Sequence, residues 1–346
     1  MNSLREAARL FFPGHHVFAG SGVSSGLSGS IFARVDASGN SWCLRQWPSD
    51  FEVGRLRFIH RALQGSRAGG FSGLPDLART RDGETVLTLA DGLYDAQEWT
   101  TGEPLSPEVS ERSMPNVVVA LSPARIASLA TAVAHFHRSA VRFSPELASF
   151  ANPLSARLPL LREGASIYQD ALLERVRLGA EGRERRLALR WLDALPRLIE
   201  AASAACDTFV QELADGYTLN HGDLWPAHAY FDGDAFAGFT DFESLCFASP
   251  AFDLAQVVLH FGGWNVREDV LRSYERVALL SDMDRLTLPI EAGTDLSSEG
   301  YWSLHALYGH TSSRTTMEQR AAHMRNLCDL AGSLEAVVAE IENLGG

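Results

Sequence analysis

Residues 221–228 read HGDLWPAH, and residues 239–243 read FTDFE. His228 stands five positions after Asp223, and Asp241 stands thirteen after His228. Gly222 and Pro226 frame Asp223 in a constrained loop that can hold a carboxylate outward. FAGFTDFE reads as a strand, with a turn at Asp232–Asp234 before it and Asp241 near its end. The order loop, short strand, turn, short strand brings both carboxylates to the same side. Two carboxylates so placed can serve phosphoryl chemistry. One accepts a proton from a hydroxyl, and the other holds a magnesium ion bound to phosphate. They also fit a plainer reading, as turn carboxylates at the polar ends of two strands.

The elements that must position this stretch can be read from the remaining pattern. Residues 15–47 are β-rich, with a Gly/Ser-rich turn, alternating apolar residues, a Gly-Asn turn and a further strand. SDFEVGRLRFIHRALQGSRAGG follows. It opens on a Ser/Asp cap, carries Phe51, Leu56, Ile59 and Leu63 at mostly helical spacing, and stops at glycines. Residues 73–105 then hold three short strands with Asp-Gly turns. From about residue 122 helices dominate, beginning with SPARIASLATAVAHFHRSAV. They are interrupted by the strands and turns of residues 217–243. They resume with PAFDLAQVVLHFGGW, REDVLRSYERVALL, EGYWSLHALYGHTSSRT and a final stretch to the C-terminus. The expected architecture is α+β and two-lobed. A small antiparallel β lobe spans residues 1–99, and a larger, mainly helical lobe spans residues 100–346.

Composition narrows the function. At 346 residues the chain is too long for most single cores. A net charge of −13 weighs against a nucleic-acid partner and is compatible with a cationic substrate. No apolar run approaches the ~18 residues of a transmembrane helix, so no membrane partner is expected. The N-terminus lacks the basic start and apolar run of a signal peptide, so a cytoplasmic location is expected. Four scattered cysteines without a CxxC pair suggest neither a zinc site nor a disulfide framework. The sequence contains no lysine, so any phosphate-binding role usual for lysine falls to arginine.

In protein kinases a catalytic-loop Asp is followed five positions on by a metal-binding Asn, and a later Asp holds the metals. Here HGDLWPAH, GFTDFES and ASPAFDLAQ follow one another in order. With these three segments the chain resembles the aminoglycoside phosphotransferase and choline-kinase-like branch of the protein-kinase-like fold. That branch carries HGDxxxxN, a strand ending in IDF or IDW, and a DPxxDLA-like segment. The resemblance covers residues 15–265 in layout.

It implies a small-molecule kinase that uses ATP or GTP with Mg²⁺ and passes the γ-phosphoryl group to a hydroxyl acceptor. By the same resemblance, Asp223 is the catalytic Asp and Asp241 binds Mg²⁺, with His228 at the second metal position. Asp253 braces the loop, and His221 locks it. The glycine-rich turn from Gly20 to Gly29, including Gly22, Ser24, Ser25 and Gly26, covers the phosphates. Arg45 stands where the family has its phosphate-pairing Lys. The strand end at Glu98–Trp99 is the hinge whose backbone faces the nucleobase. Residues 160–215 and 262–330 shape acceptor choice.

Two departures bear on mechanism. Arg45 replaces Lys, keeping the charge with a bulkier, forked head. His228 replaces Asn. Magnesium prefers oxygen ligands, whereas imidazole suits softer metals, so His228 can instead bond a phosphate oxygen or leave a single metal position. The helix after Arg45 offers only Glu52, near its start, as an ion-pair partner. A second reading is a kinase-like pseudoenzyme that binds nucleotide or a partner without turnover. Arg45 and His228 favour it, and the presence of both Asp223 and Asp241 opposes it. A metal-dependent hydrolase lacks the further His/Asp ligands of two-metal sites. His135 and His137 read as ordinary helix residues. Trp225, Trp264, Tyr301 and Trp302 read as core or cleft aromatics.

Overall fold

The computed structural model describes residues 2–14, 19–25, 29–105, 117–140, 144–209, 216–309 and 315–344. Helix α1 (Asn2–Phe11) precedes an antiparallel sheet of β1 (Ala19–Ser25), β2 (Ile31–Ala37), β3 (Asn40–Gln46), β4 (Leu87–Leu89) and β5 (Gly92–Glu98). The spatial order is β1-β2-β3-β5-β4. β2 and β3 are joined by a two-residue turn at Ser38 and Gly39, both at positive φ, which matches the twist of the flanking strands. β2 alternates: Ala33, Val35 and Ala37 are buried, and Arg34 and Asp36 are exposed. On one face Leu4, Ala7, Ala8 and Phe11 of α1 pack on Ala33, Val35, Leu44 and Ala96. Arg45, the next residue after Leu44, therefore turns to the opposite face.

Helix α2 (Val53–Ala68) buries Leu56, Ile59 and Leu63, as their spacing requires. Its start differs from the expected Ser49–Asp50 cap. Glu52 occupies the cap position with extended backbone, and its side chain makes no cap bond. β6 (Glu103–Pro104) leads into the helical part.

Helix α3 (Pro123–Ser139) opens on Ser122, whose hydroxyl accepts the Arg125 amide, with Pro123 at the first helical position. α4 (Leu154–Gly179) and α5 (Gly182–Phe209) follow. The chain then forms four short strands: β7 (Thr218–Asn220), β8 (Ala229–Asp232), β9 (Ala235–Phe239) and β10 (Cys246–Ala248). β6, β8 and β9 make one small sheet, and β7 and β10 make another. Helices α6 (Ala251–His260), α7 (Arg267–Glu275), α8 (Asp282–Tyr308) and α9 (Met317–Leu344) complete the chain.

α8 begins far earlier than its sequence suggests, at a capping box between Ser281 and Asp284. Pro289, Gly293 and Gly300 lie inside it, and packing overrides their poor propensity. Gly300 is required by close approach: a Cβ there would meet the Trp191 ring at 2.7 Å. Trp191 is fully buried, and its ring nitrogen donates to the Leu327 carbonyl at 3.0 Å, which ties α5 to α9. Among the described residues, no helix is long and apolar enough to cross a membrane.

Candidate active site

β7 ends at Asn220, and the loop HGDLWPAH runs from there into β8. Gly222 sits at φ +81°, and a Cβ there would lie 2.4 Å from the Ser244 carbonyl oxygen, so only glycine fits. The loop is held from below by α6. Asp253, fully buried in the first turn of α6, accepts the His221 amide at 2.8 Å and the Gly222 amide at 2.9 Å. Gln256, one turn further along, accepts the Leu224 amide at 2.9 Å. His137 of α3 lies 3.1 Å from Asp253, and its other ring nitrogen lies 2.9 Å from the Tyr274 hydroxyl. His137 thus joins the support of the loop, a part its place in AHFHRSA does not reveal. Gln256 was also missed, although its spacing of three from Asp253 was visible in FDLAQ.

His221 meets the loop's two needs with its ring and its amide. Its Nε2 donates to the Thr240 carbonyl at 2.8 Å, and its Nδ1 accepts the Asp223 amide at 3.3 Å. Both nitrogens are used in the neutral form, and burial pushes the His221 pKa below its usual value. The bracing by Asp253 therefore reaches the His221 main chain and leaves the ring free for Thr240.

β9 ends at Phe239, and Asp241 follows in the left-handed region at φ +61°, an unusual place for a residue with a side chain. Its two carboxylate oxygens face different partners. Oδ1 lies 3.5 Å from Nη1 of Arg45, and Oδ2 lies 3.5 Å from Nε2 of His228. Burial alone would raise the Asp241 pKa, but His228, Arg45 and His221 outweigh it and leave it lowered. His228 donates from Nδ1 to the Asp223 carbonyl at 2.8 Å, so that nitrogen bears a hydrogen. The same Nδ1 is 3.5 Å from the Asp223 carboxylate. Trp225 meets the His228 ring at a steep angle, with ring centroids 4.8 Å apart, and is the one expected cleft aromatic that touches these residues. Asp223 has 46% of its side chain exposed and Asp241 37%, so both carboxylates are open to a ligand.

Arg45 is only 5% exposed. Its guanidinium carbon lies over the Trp47 ring, 3.6 Å from the centroid, and the group donates to the Ser30 hydroxyl at 2.9 and 3.0 Å. It is ion-paired with Glu243. Glu52, the partner the sequence offered, is exposed at the start of α2 and is not the residue paired with Arg45.

The remaining expected positions fall elsewhere. Gly22, Ser24 and Ser25 lie on β1, and Gly26 lies outside the described residues. Glu98 and Trp99 close β5, where their amides donate to the Asp76 and Ser41 carbonyls at 2.8 Å each. A cleft of about 690 Å³ lined by Gly102, Pro104, Arg125 and Asp232 sits beside β6, and neither Asp223 nor Asp241 lines it. On α8, Asp295 and Glu299 were not singled out by the sequence. His260, at the end of α6, lies 3.0 Å from Asp295. Burial raises the Glu299 carboxyl to about 7, with Asp295 and Asp223 adding to the rise and His260 opposing it. Among the described residues, no group of three or more His, Cys, Asp or Glu side chains forms a metal cage. An ion here would take its other ligands from substrate and water.

A small antiparallel sheet with a buried cation on its inner face, and a helical part carrying two carboxylates on adjoining loops, define a two-lobed protein-kinase-like fold. The solved structures agree. An aminoglycoside phosphotransferase from Alicyclobacillus acidocaldarius superposes with a TM-score of 0.63 at 17% identity, covering 94% of this chain and 92% of its own. A spectinomycin phosphotransferase in complex with ADP and spectinomycin gives 0.64 at 14% identity, covering 96% and 98%. A microcompartment-associated aminopropanol kinase gives 0.56 at 17% identity, covering 100% and 99%. A comparison with curated proteins finds no match. The chain belongs to the phosphotransferase enzyme family, whose family model matches residues 20–288.

Proposed function

We propose that this protein is a small-molecule kinase that transfers the γ-phosphoryl group of ATP or GTP to a hydroxyl acceptor. One observation carries the reading: the side chains of Asp223 and Asp241 both lie 3.5 Å from the ring of His228. Asp223 is the base. Its open carboxylate orients the acceptor hydroxyl and takes its proton. Arg45 pairs with the nucleotide phosphates, and its contact with Trp47 helps hold its head in place. Catalysis here is mainly positioning and charge neutralisation.

The donor set fits a divalent cation. With Nδ1 hydrogen-bonded to a carbonyl, Nε2 of His228 lies 3.5 Å from Asp241 Oδ2 and would supply its lone pair to an ion held between them. Two ligands each about 2.0–2.2 Å from one ion span roughly 3.0–3.5 Å. One nitrogen and one oxygen tilt the choice from Mg²⁺ toward ions such as Mn²⁺. Held there, such an ion would neutralise charge on the phosphate oxygens.

The two lobes divide the work as residues 1–99 for the nucleotide and 100–346 for the catalytic loop and acceptor. A pseudoenzyme is the competing reading, favoured by His228 and Arg45 at the metal and phosphate positions. Thermal unfolding with ATP and with GTP, each with Mg²⁺, Mn²⁺ or no metal, separates the two. A ligand at 100 times its Kd adds about 2.7 kcal/mol. A metal-dependent rise in Tm followed by phosphorylation of an acceptor supports the kinase. A rise that ignores metal, with no transfer, supports the pseudoenzyme. No rise with any combination overturns both nucleotide readings.

A further inference from the structure

We infer that Glu243 is a positioning residue for Arg45, supplying from the loop after Asp241 the counter-charge that the helix behind the sheet does not provide. The inference rests on the proposed nucleotide role of Arg45. A guanidinium this deeply buried requires a carboxylate partner, because an unpaired charge in the interior is costly. In protein kinases the phosphate-pairing cation is held by a Glu on the helix that follows its strand. Here α2 reads VGRLRFIHRALQGSRA and contains no carboxylate. Asp95 stands opposite Arg45 in the β3–β5 register, but its oxygens accept from Trp47 at 2.9 Å and Gln97 at 2.9 Å and face His60 at 3.0 Å. That leaves the loop after Asp241.

Glu243 forms an ion pair with Arg45 and accepts the Ser30 hydroxyl at 3.4 Å. The helix has reversed its part. Arg55 of α2 donates to the Glu243 and Leu245 carbonyls at 2.6 Å each, so α2 grips the main chain of the loop while the loop sends its carboxylate to β3. Arg45 is consequently shared, with Nη2 turned to Glu243 and Nη1 3.5 Å from Asp241. Glu243 thereby takes part of the Arg45 charge from Asp241 and leaves Asp241 Oδ2, on the His228 side, for a cation. Without Glu243, Arg45 settles on Asp241 and competes with the ion.

The test uses Glu243→Gln, Glu243→Asp, Arg45→Gln, the double variant Arg45→Gln/Glu243→Gln, and Glu52→Gln as a control. Thermal unfolding of the ligand-free proteins reads the ion pair. ATP or GTP affinity by calorimetry, repeated across a Mn²⁺ titration, reads its purpose. Loss of one charge-assisted contact predicts that Glu243→Gln raises the nucleotide Kd about tenfold. It also raises the half-saturating Mn²⁺ concentration. Glu243→Asp recovers part of both, and Glu52→Gln matches the wild type. In the cycle, the double variant unfolds no lower than Arg45→Gln alone. Wild-type nucleotide affinity and metal requirement in Glu243→Gln overturn the inference, as does simple additivity in the cycle. A wild type that binds no nucleotide but shows a non-additive cycle supports the ion pair and overturns the kinase reading beneath it.

Discussion

Nε2 of His221 donates to the carbonyl oxygen of Thr240 across 2.8 Å, so one side chain ties the loop carrying Asp223 to the loop carrying Asp241. The residue after Thr240 is held at positive φ, a conformation that needs support from its surroundings. His221→Phe keeps the ring and removes both of its hydrogen bonds. The expected outcome in urea unfolding is a loss of about 1–3 kcal/mol, from the buried Thr240 oxygen left without its donor. kcat should fall more than KM changes, because the two carboxylates lose their fixed separation.

Asp223 has few ties of its own, and its carboxylate is largely free of the scaffold. Asp223→Asn should leave Tm within a degree or two and nucleotide affinity within a few-fold. Turnover should drop by about 100- to 10,000-fold, the usual contribution of a general base. Nucleotide binding by calorimetry and acceptor phosphorylation, measured on the same preparation, check this. A variant that retains turnover would remove Asp223 from the base role.

His228→Asn replaces a nitrogen ligand by an amide oxygen. The ratio of Mn²⁺ to Mg²⁺ needed to support nucleotide binding should shift toward Mg²⁺ by about tenfold. Electron paramagnetic resonance of bound Mn²⁺ should show coupling to one imidazole nitrogen in the wild type and none in the variant. Equal metal preference in the two proteins would assign His228 to phosphate hydrogen bonding instead.

Gly222→Ala places a methyl group against the Ser244 carbonyl in a left-handed backbone. A destabilisation of at least about 2 kcal/mol is expected, since the obstructing atom is main chain. Ser244 follows Glu243, so the displacement also reaches the Arg45 ion pair. Chemical denaturation gives the first effect and nucleotide affinity the second.

Burial alone would depress the His260 pKa, but Asp295 and Glu299 outweigh it and raise it from 6.5 to about 9. A raised folded-state value means that the charged form is favoured by folding. The stabilisation is complete below about pH 6.5 and is lost as pH rises through about 9. The Tm difference between wild type and His260→Gln should therefore shrink steadily from pH 6 to pH 9.5. A constant difference across that range would show that His260 stabilises by packing alone.

The sequence by itself determined the two carboxylates and their loop, because a short segment such as HGDLWPAH encodes its own turn through Gly222 and Pro226. It also determined the α+β order, since alternation in residues 31–46 and helical spacing around Leu56, Ile59 and Leu63 are local signals. The long reach of α8 was hidden by Pro289, Gly293 and Gly300, whose propensities oppose the helix that packing against Trp191 imposes. Glu243 stood in plain view beside Asp241, yet its partner Arg45 lies far away in the chain. His137, Arg55, Asp295 and Glu299 are ordinary helix residues until their helices are placed. Only the tertiary structure decided which carboxylate holds Arg45, which oxygen His221 reaches and which side chains surround Asp223. Those contacts join distant segments, and local spacing carries no information about them.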